Sequence, residues 1–454
     1  MSRETRALSE LHAVLGDGLL TDPDVIESYR RDRTTWAAVG QPLAVARPAS
    51  TAEVRAIARW ATRHRTPIVP RGAGTSISGG ACASDGCLVL SFERMNRILA
   101  IDEAAMLAVV QPGVLNEALK LAVAERGLWY PPDPSSAAIS TIGGNVATNA
   151  GGLCCVKYGV TADYVLGLEA VLADGTVVRT GGKSRKDVAG YDLTRLLVGS
   201  EGTLALISEI TVRLRRRPNA RRTLLATFDT LEASGRAVSN IVTTADASLL
   251  EIMDRATLRA VERHAKLELD LDAAAMLIAQ SDAASTSEVE RMLEACQQAG
   301  STFSTLTEDE AEGQLLLTAR RLAYPALEAL GDVMVEDVAV PISQLAEMLR
   351  RVERLAERTG TSIATVAHAG DGNLHPLIVF DRRIAAEEAR ALAAFETLMV
   401  EALELGGTIT GEHGVGSLKR EFLPRQLGAA SMALHGKIKS AFDPLGILNP
   451  GKLL

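Results

Sequence analysis

Cysteine is scarce in this chain: five of the 454 residues are cysteines, and no two of them are spaced as C-x-x-C. An odd number without framework spacing is typical of reduced thiols and not of a disulfide scaffold. The thiolate ligands of an iron–sulfur cluster are lacking as well. We therefore expect the chain to hold no such cluster of its own.

Long apolar runs are also lacking. No stretch approaches the roughly 20 residues that a membrane-spanning helix needs, and the first residues, MSRETRALSELHAVLGDG, contain no apolar segment of the kind found in signal peptides. We expect no transmembrane segment and no signal peptide. The predicted location is cytoplasmic, or peripheral to a membrane through a partner.

Clustered positive charge is limited to one short run. The formal net charge is −8, and the run Arg213, Arg215, Arg216 and Arg217 is interpreted as the end of a strand and the start of a linker. A nucleic-acid partner is therefore not expected. The sequence leaves open a homo-oligomer.

Glycine and short polar side chains dominate the stretch from Pro131 to Gly152, PPDPSSAAISTIGGNVATNAGG. It is too polar and too rich in glycine for a core helix or strand, so we expect a loop, either a plain surface loop or a ligand site. A second such loop, Pro70–Ser76, follows a predicted strand. Two loops with exposed backbone N–H groups suit a long ligand with a central pyrophosphate.

Two nucleotide-binding fingerprints are incomplete. Gly72-x-Gly74-x-x-Ile77 lacks the third glycine of the dinucleotide motif, and Val177 stands where a P-loop ending in Gly182-Lys183-Ser184 needs its first glycine. NAD and ATP are therefore not predicted as ligands.

Two histidines, His368 and His375, flank the sequence Ala-Gly-Asp-Gly-Asn-Leu. The glycines exclude a continuous helix, and a strand, a tight turn at residues 370–372 and a return strand would bring the two imidazoles together. With Glu412, which lies between glycine-containing turns, they form a possible two-histidine, one-carboxylate metal site. Hydrogen-bonded core histidines are the alternative.

Several motifs occur in one order along the first half: PRGAGTSISGG, PPDPSS with STIGGNVATNAGG, and DLTRLLVGSEGTLALISEITVRL. They resemble the FAD-binding domain of the vanillyl-alcohol-oxidase (PCMH-type) superfamily. In the second half, AHAGDGNLHP, GEHGVG and FDPLGILNPGK resemble the FAD-linked oxidase C-terminal domain. Within this family the chain is similar to glycolate oxidase flavoprotein subunits and flavin D-lactate dehydrogenases.

The resemblance implies an α+β fold: a two-lobed, PCMH-type (vanillyl-alcohol-oxidase-like) FAD-binding domain over residues 1–217, and an α/β ferredoxin-like substrate cap domain over 218–454. The last ~45 residues are expected to return to the flavin. In the second domain, strands alternate with helices, and we expect the helices on one face of the sheet. Where many relatives tether FAD covalently through a histidine, this chain has Thr75, so non-covalent FAD is expected.

The resemblance also implies a set of residues around FAD. These are Pro70, Arg71, Gly72, Ala73, Gly74, Thr75, Ser76, Pro132, Asp133, Thr141, Gly143, Gly144, Ala147, Thr148, Asn149, Gly151, Gly152, Tyr158, Gly159, Glu201, Gly202, Ile207 and Asn449.

For the metal, the resemblance implies His368, His375 and Glu412 as ligands of Zn or Mn, although some relatives work without a tightly held metal. His413 is the predicted catalytic base, because an imidazole accepts a hydroxyl proton near neutral pH. A third metal ligand is the alternative role for His413. Arg320, favoured over Arg321, is predicted to bind the substrate carboxylate.

The predicted activity is FAD-dependent oxidation of a small 2-hydroxy acid to the 2-oxo acid, with the hydride passing to flavin N5. The strand Val-Met-Val-Glu-Asp lacks the lysine of relatives that act on dicarboxylates, and Pro376-Leu377 follows His375. Both features favour a monocarboxylate. An iron–sulfur or other electron-acceptor partner is expected. The alternatives are an FAD-binding electron-transfer subunit without its own substrate, or another flavin oxidoreductase on the same fold.

Overall fold

A computed structural model describes residues 3–184 and 186–454. The strands are β1 Leu19–Leu20, β2 Ala44–Ala46, β3 Ile68–Arg71, β4 Leu88–Ser91, β5 Ile98–Asp102, β6 Leu107–Val110, β7 Leu128–Trp129, β8 Val165–Val171, β9 Val177–Gly181, β10 Leu206–Arg213, β11 Arg215–Arg216, β12 Arg222–Phe228, β13 Leu249–Asp254, β14 Ala275–Ser281, β15 Ser301–Thr307, β16 Asp332–Val335, β17 Val338–Ala339, β18 Ser362–His368 and β19 Asn373–Phe380. The helices are α1 Arg3–Leu15, α2 Pro23–Glu27, α3 Thr51–His64, α4 Asn116–Ala124, α5 Ile142–Thr148, α6 Cys155–Tyr158, α7 Leu193–Leu197, α8 Leu231–Thr244, α9 Arg255–Ala265, α10 Ser287–Ala299, α11 Glu310–Arg321, α12 Ala323–Glu328, α13 Leu345–Thr359, α14 Ala385–Glu404 and α15 Leu423–Phe442.

The chain divides into two compact units. The first contains residues 1–151, 160–217 and 412–454, and the second contains 152–159 and 218–411. The chain therefore passes from one unit to the other at four places. The assignment of these units to FAD and to substrate stays a prediction.

The first unit contains two larger sheets and the two-stranded pair β7–β11. One has the order β1-β2-β4-β3, in which β4 runs parallel to β2 and β3, and its core includes Ile57 and Trp60 from α3. The other is the antiparallel sheet β5-β6-β10-β8-β9, which packs against Leu119 of α4 and Ile142 of α5. These two larger sheets correspond to the two predicted lobes, and Val171 of β8 and Leu206 of β10 also join the core around α3.

The second unit is built on one antiparallel sheet of order β15-β12-β14-β13-β18-β19-β16, with β17 paired to β19. Every residue of β13 and β14 is buried, so both faces of the central strands are covered. One face packs against Leu258 of α9 and Leu317 of α11, and α8 and α10 also contact the sheet. The expectation of helices on one face was wrong, because alternate residues of these strands are apolar on both sides.

Candidate active site

The two predicted histidine ligands lie on the hairpin β18–β19. His375 pairs with Val366, so it lies diagonally from His368 on the same face of the sheet. The ring centroids are 5.0 Å apart, the planes are inclined by 82°, and both side chains are buried. Residues 369–371 form the turn, and Gly372 ends it with φ of 78°. The predicted strand, turn and return strand are confirmed.

A buried glutamate connects His368 to Arg320. Glu251 pairs with His368 across β13 and β18, and its Oε1 lies 2.6 Å from His368 Nδ1. Arg320 Nε donates to the other oxygen, Oε2, at 2.6 Å. Glu251 is 0% exposed. The residue was not predicted from the sequence, although an acidic residue in the middle of the otherwise apolar run LLEIM was an available signal.

The two arginines at the end of α11 differ in environment. Arg320 is buried, whereas Arg321 is exposed and donates to Gln314 at 3.2 Å. Because the bond to Glu251 uses Nε of Arg320, the fork of terminal Nη groups is the part that could bind a carboxylate. This geometry agrees with the choice of Arg320 over Arg321, and its role stays a prediction.

A second buried carboxylate lies beside His375. Asp337 Oδ1 is 3.7 Å from His375 Nδ1, and Asp337 also accepts from Asn373 Nδ2 at 3.0 Å, Thr410 Oγ1 at 2.7 Å and the Gly411 amide at 3.0 Å. A β-carbon at Gly411 would overlap Asn373. Asp337 therefore fixes the backbone immediately before Glu412. From the sequence, Asp337 was considered only as part of a strand without lysine.

These contacts test whether the donors fit a metal. His368 has a buried carboxylate hydrogen-bonded at Nδ1, which leaves Nε2 as the lone-pair donor, and metal-binding histidines commonly have such a carboxylate partner. The carboxylate of Asp337 lies 3.7 Å from Nδ1 of His375. Two imidazoles together with carboxylates suit a divalent transition ion. The donor chemistry of the second unit therefore fits the predicted ion. Glu412 and His413 belong to the first unit, where Glu412 Oε1 and His413 Nε2 are 3.8 Å apart.

In the first unit, three glycine-rich segments meet: the first loop at 70–76, the stretch 131–152, and a third loop around Gly202 in the motif DLTRLLVGSEGTLALISEITVRL. A β-carbon at Gly72 would overlap Thr141 Oγ1, and one at Gly202, whose φ is +69°, would overlap the Pro70 ring. Only glycine allows these close approaches, and at Gly202 the positive φ favours glycine as well. Thr141 also accepts the Gly144 amide at 3.1 Å. Segments that lie far apart in the sequence, such as those around Pro70 and Gly202, thus come together. Their small and polar groups form a binding surface that fits FAD.

The stretch 131–152 was wrongly interpreted as a loop throughout, because Thr141 caps the helix α5. This helix carries Gly143, Gly144, Ala147 and Thr148, and Asn149 ends it with φ of 53°. A β-carbon at Gly143 would come 2.8 Å from the Pro112 carbonyl oxygen. The close packing against Pro112 thus explains why a glycine occupies this helical position, although glycine lowers helix propensity.

The other predicted FAD residues are distributed over both units. Pro70 and Arg71 end β3, and Arg71 donates to the Arg31 carbonyl at 2.8 Å. Tyr158 donates its hydroxyl hydrogen to Asp282 within the second unit. The remaining positions are Ala73, Gly74, Thr75 and Ser76 after β3, Pro132 and Asp133 after β7, Gly151 in the first unit, Gly152 and Gly159 in the second, Glu201 in the turn before β10, Ile207 in β10 and Asn449 after α15.

Comparison with known proteins identifies the family. The model for the C-terminal domain of FAD linked oxidases matches residues 217–453, and the model for an FAD binding domain matches residues 42–181. The chain belongs to the FAD-linked oxidases. FAD is therefore its cofactor, as predicted, and the chain is an oxidoreductase.

Curated relatives cover most of the chain. Glycolate oxidase subunit GlcD of Bacillus subtilis (strain 168) is 45% identical over 417 residues, which are 91% of this chain and 89% of the relative. D-lactate dehydrogenase of Archaeoglobus fulgidus is 36% identical over 437 residues, 94% of this chain and 96% of the relative. The similarity to these two groups confirms the resemblance inferred from the motifs.

Solved structures confirm the fold class. p-Cresol methylhydroxylase with substrate bound matches with a TM-score of 0.81 at 19% identity, over 100% of this chain and 97% of that one. 4-Ethylphenol oxidase from Gulosibacter chungangensis matches with a TM-score of 0.79 at 19% identity, over 100% and 98% of the two chains. Within residues 3–184 and 186–454, no helix has the length and apolar character required to cross a bilayer.

Proposed function

We propose that this FAD-linked oxidoreductase converts a small 2-hydroxy acid, of the glycolate or D-lactate type, to the corresponding 2-oxo acid. Relatives named glycolate oxidase subunit and D-lactate dehydrogenase support this substrate class. The observation that carries the proposal is Glu251, whose two oxygens contact Arg320 and His368 at 2.6 Å each. A guanidinium and an imidazole are thus held side by side, as a carboxylate and its adjacent hydroxyl require.

The roles of the side chains follow from their chemistry. The Nη groups of Arg320 bind the substrate carboxylate, because a planar guanidinium can donate two parallel hydrogen bonds to it. His368 and His375 would hold a divalent ion, Zn or Mn, and such an ion would supply Lewis acidity to the hydroxyl of the substrate. His413 accepts the hydroxyl proton. Non-covalently bound FAD would supply the acceptor for the hydride from C2.

The position of Glu412 and His413 in the chain supports their roles as third ligand and base. They follow Gly411 directly, and the Gly411 amide donates to Asp337, which lies beside His375. The chain is therefore held by one buried carboxylate immediately before these two residues.

Two buried acidic residues support a monocarboxylate. Glu336 and Asp337 follow β16, where the predicted lysine of dicarboxylate-specific relatives is lacking, and both are 0% exposed. A second substrate carboxylate near them would meet like charge. Glycolate and D-lactate fit this restriction better than a hydroxy-dicarboxylate.

Anaerobic flavin bleaching tests the proposal directly. Glycolate, D-lactate and L-lactate are added separately to the purified protein, and the oxidised flavin absorbance is followed. Propane-1,2-diol, which keeps the hydroxyl but lacks the carboxylate, is the control. We expect rapid bleaching by at least one hydroxy acid and none by the diol. If no 2-hydroxy acid reduces the flavin while dithionite does, the proposed reaction is wrong and an electron-transfer subunit becomes the better description.

A further inference from the structure

We infer that Glu201 is a positioning residue for the loop that carries His413, and that it acts on the reaction through His413 without touching the substrate. The inference rests on the proposed function, because it assigns a partner to the proposed base. This positioning role differs from the role that the resemblance implied for Glu201, which was a contact with FAD. All the residues that carry it belong to the first unit.

The side chain of Glu201 binds the loop after His413 through both oxygens. Oε1 accepts from the Val415 amide at 2.7 Å, and Oε2 accepts from the Gly416 amide at 2.8 Å. The residue is 6% exposed. Two hydrogen bonds to consecutive amides, shielded from water, fix both the position and the orientation of that backbone.

The backbone of Glu201 is itself held by two hydrogen bonds. Its amide donates to the Ala147 carbonyl at 2.8 Å, and its own carbonyl accepts from Asn449 Nδ2 at 2.7 Å. The same Asn449 amide donates to the Gly80 carbonyl at 3.0 Å. Glu201 has φ of 51°, which is costly for a residue with a side chain and persists only where the surroundings enforce it. The backbone from which the Glu201 side chain extends is therefore held in place.

The loop needs such a support because glycines flank its contact with Glu201. Gly414 and Gly416 have φ of +87° and +53°, and a β-carbon at Gly414 would lie 3.0 Å from Glu201 Oε1. Beyond Gly416, the amides of Ser417 and Leu418 donate to the Ser78 carbonyl at 3.1 and 3.2 Å. Glu201 thus binds the backbone amides two and three residues after His413. Loss of these two hydrogen bonds would leave a segment that contains two glycines less constrained next to the predicted base.

A relay of protons through Glu201 is disfavoured by the same geometry. Both carboxylate oxygens accept from backbone amides, which do not exchange protons on the timescale of turnover, and neither hydrogen bond leads to an imidazole nitrogen. The role that the contacts support is orientation of the base. Misplacement of a catalytic group by about 1 Å can reduce the rate by about a hundredfold.

The test compares Glu201→Gln, His413→Ala and the double variant. The glutamine has one acceptor oxygen in place of two, so one amide loses its partner. We expect kcat for the hydroxy acid to fall about tenfold to a hundredfold, while KM and the FAD-to-protein ratio stay unchanged. In the His413→Ala background, Glu201→Gln should lower kcat no further, because residues that act through one another are not additive.

Two further variants and one measurement without turnover make the test specific. Glu169→Gln is the matched control: Glu169 is a buried carboxylate of the same unit that binds Thr51 and Ser208, and kcat should not change. Glu201→Asp keeps the carboxyl group but is one methylene shorter, so its kcat should fall in part. This variant also takes the place of Glu201→Gln if the glutamine variant fails to fold. Hydrogen–deuterium exchange of a peptide spanning 412–418 should speed up in both Glu201 variants.

The outcomes separate the two proposals. An unmutated protein whose flavin is reduced by no hydroxy acid refutes the proposed function. If the unmutated protein is active, three results would each overturn the positioning role. The losses of kcat could be additive in the double variant, kcat could be unchanged in the Glu201 variants, or these variants could lose FAD while kcat per bound FAD stays the same. Unchanged exchange of residues 412–418 would overturn it as well.

Discussion

Glu251 is a buried acidic residue whose charge is stabilised by its neighbours. A carboxylate removed from water costs several kcal/mol unless it is paired and hydrogen-bonded. Here each oxygen has its own partner, Arg320 Nε and His368 Nδ1. The pairing also fixes the histidine with hydrogen on Nδ1, so the lone pair on Nε2 is the one that could bind an ion. One residue thus orients two predicted functional groups.

The first prediction concerns Glu251→Gln. The neutral amide accepts at only one atom, so either the arginine or the imidazole loses its partner. We expect metal affinity or kcat/KM to fall about tenfold to a hundredfold, with the FAD-to-protein ratio unchanged. Metal content is measured by mass spectrometry of the purified protein and turnover with the best hydroxy acid.

Glu290→Gln is the control, because Glu290 is exposed on α10 of the same unit. It should change neither quantity. If Glu251→Gln keeps both full metal content and full kcat/KM, the orienting role of Glu251 is wrong. If FAD is lost together with turnover, the substitution has disturbed more than this cluster.

At the scale of elements, local signals predicted helices and hairpins well. α3, at Thr51–His64, shows such local signals, because the Ser50 side chain caps its first turn and its buried apolar residues recur at helical spacing. The turn between His368 and His375 was predicted because glycine and aspartate favour it. These are features that neighbouring residues determine.

What the sequence did not reveal depends on packing between distant segments. α5 was missed because two adjacent glycines lower helix propensity, and the contact with Pro112 that favours a glycine there appears only in three dimensions. Glu251 is separated from His368 by 117 residues, and nothing in either segment alone indicates the pair. Arg215–Arg216, interpreted as a linker, pairs with β7 as the strand β11.

The second prediction concerns the approach of the third glycine loop to the first. Gly202→Ala places a β-carbon against the Pro70 ring at φ of +69°, so the loops must separate. Left-handed backbone alone costs about 1–2 kcal/mol for a residue with a β-carbon. We expect a lower midpoint of thermal unfolding and a lower FAD-to-protein ratio, which absorbance spectra measure.

Gly436→Ala provides the comparison, because Gly436 lies on α15 and a β-carbon there meets nothing within 4 Å. Its FAD content should equal that of the unmutated protein, and its stability should be equal or slightly higher. Full FAD content and full stability in Gly202→Ala would contradict the close approach of the two loops.

The third prediction concerns the pH dependence of stability through Asp254, which caps α9. Burial raises the pKa of this carboxyl to about 6, against the lowering effect of hydrogen bonds from the Thr257 and Thr365 amides. Because its pKa in the unfolded chain is near 3.9, the folded protein binds more protons between about pH 4 and pH 6. This group therefore makes the free energy of unfolding fall as pH rises through that window.

Asp254→Asn removes this contribution. The thermal midpoint of the unmutated protein minus that of the variant should therefore decrease as pH rises from about 4 to about 6. Asp272→Asn, at an exposed position of the same unit, should give a difference that varies little with pH. A difference that instead grows with pH would mean that the folded pKa lies below the unfolded one.

At the scale of the whole molecule, the order of motifs was predictable and the path of the chain was not. The resemblance placed FAD motifs first and the histidine hairpin later, and the family matches confirm that order. Residues 152–159, in contrast, belong to the second unit although they follow an FAD motif directly. Lys157 and Tyr158 both bind Asp282 there, a partner that no local pattern indicates.

The route of electrons out of the protein is also a property of the whole molecule. No disulfide joins any of the five cysteines, all of which the structure describes, and none of them is spaced for a cluster. Relatives from two bacteria are named as a subunit of glycolate oxidase. We therefore expect that the substrate reduces the flavin within this chain, whereas reoxidation needs a separate iron–sulfur or other electron-acceptor partner.

The fourth prediction follows from this division into two half-reactions. An artificial dye such as dichlorophenolindophenol can take electrons from the flavin without a docking surface, so turnover with the dye should be much faster than with oxygen alone. Both rates are measured on one preparation with the same hydroxy acid, with peroxide assayed in the oxygen reaction and anaerobic flavin bleaching as the control for the first half-reaction. Fast bleaching with slow peroxide formation supports a separate acceptor, because reduction is then complete within the chain and only reoxidation is slow. Stoichiometric peroxide at the rate found with the dye would make the protein a true oxidase, and the acceptor partner would no longer be required.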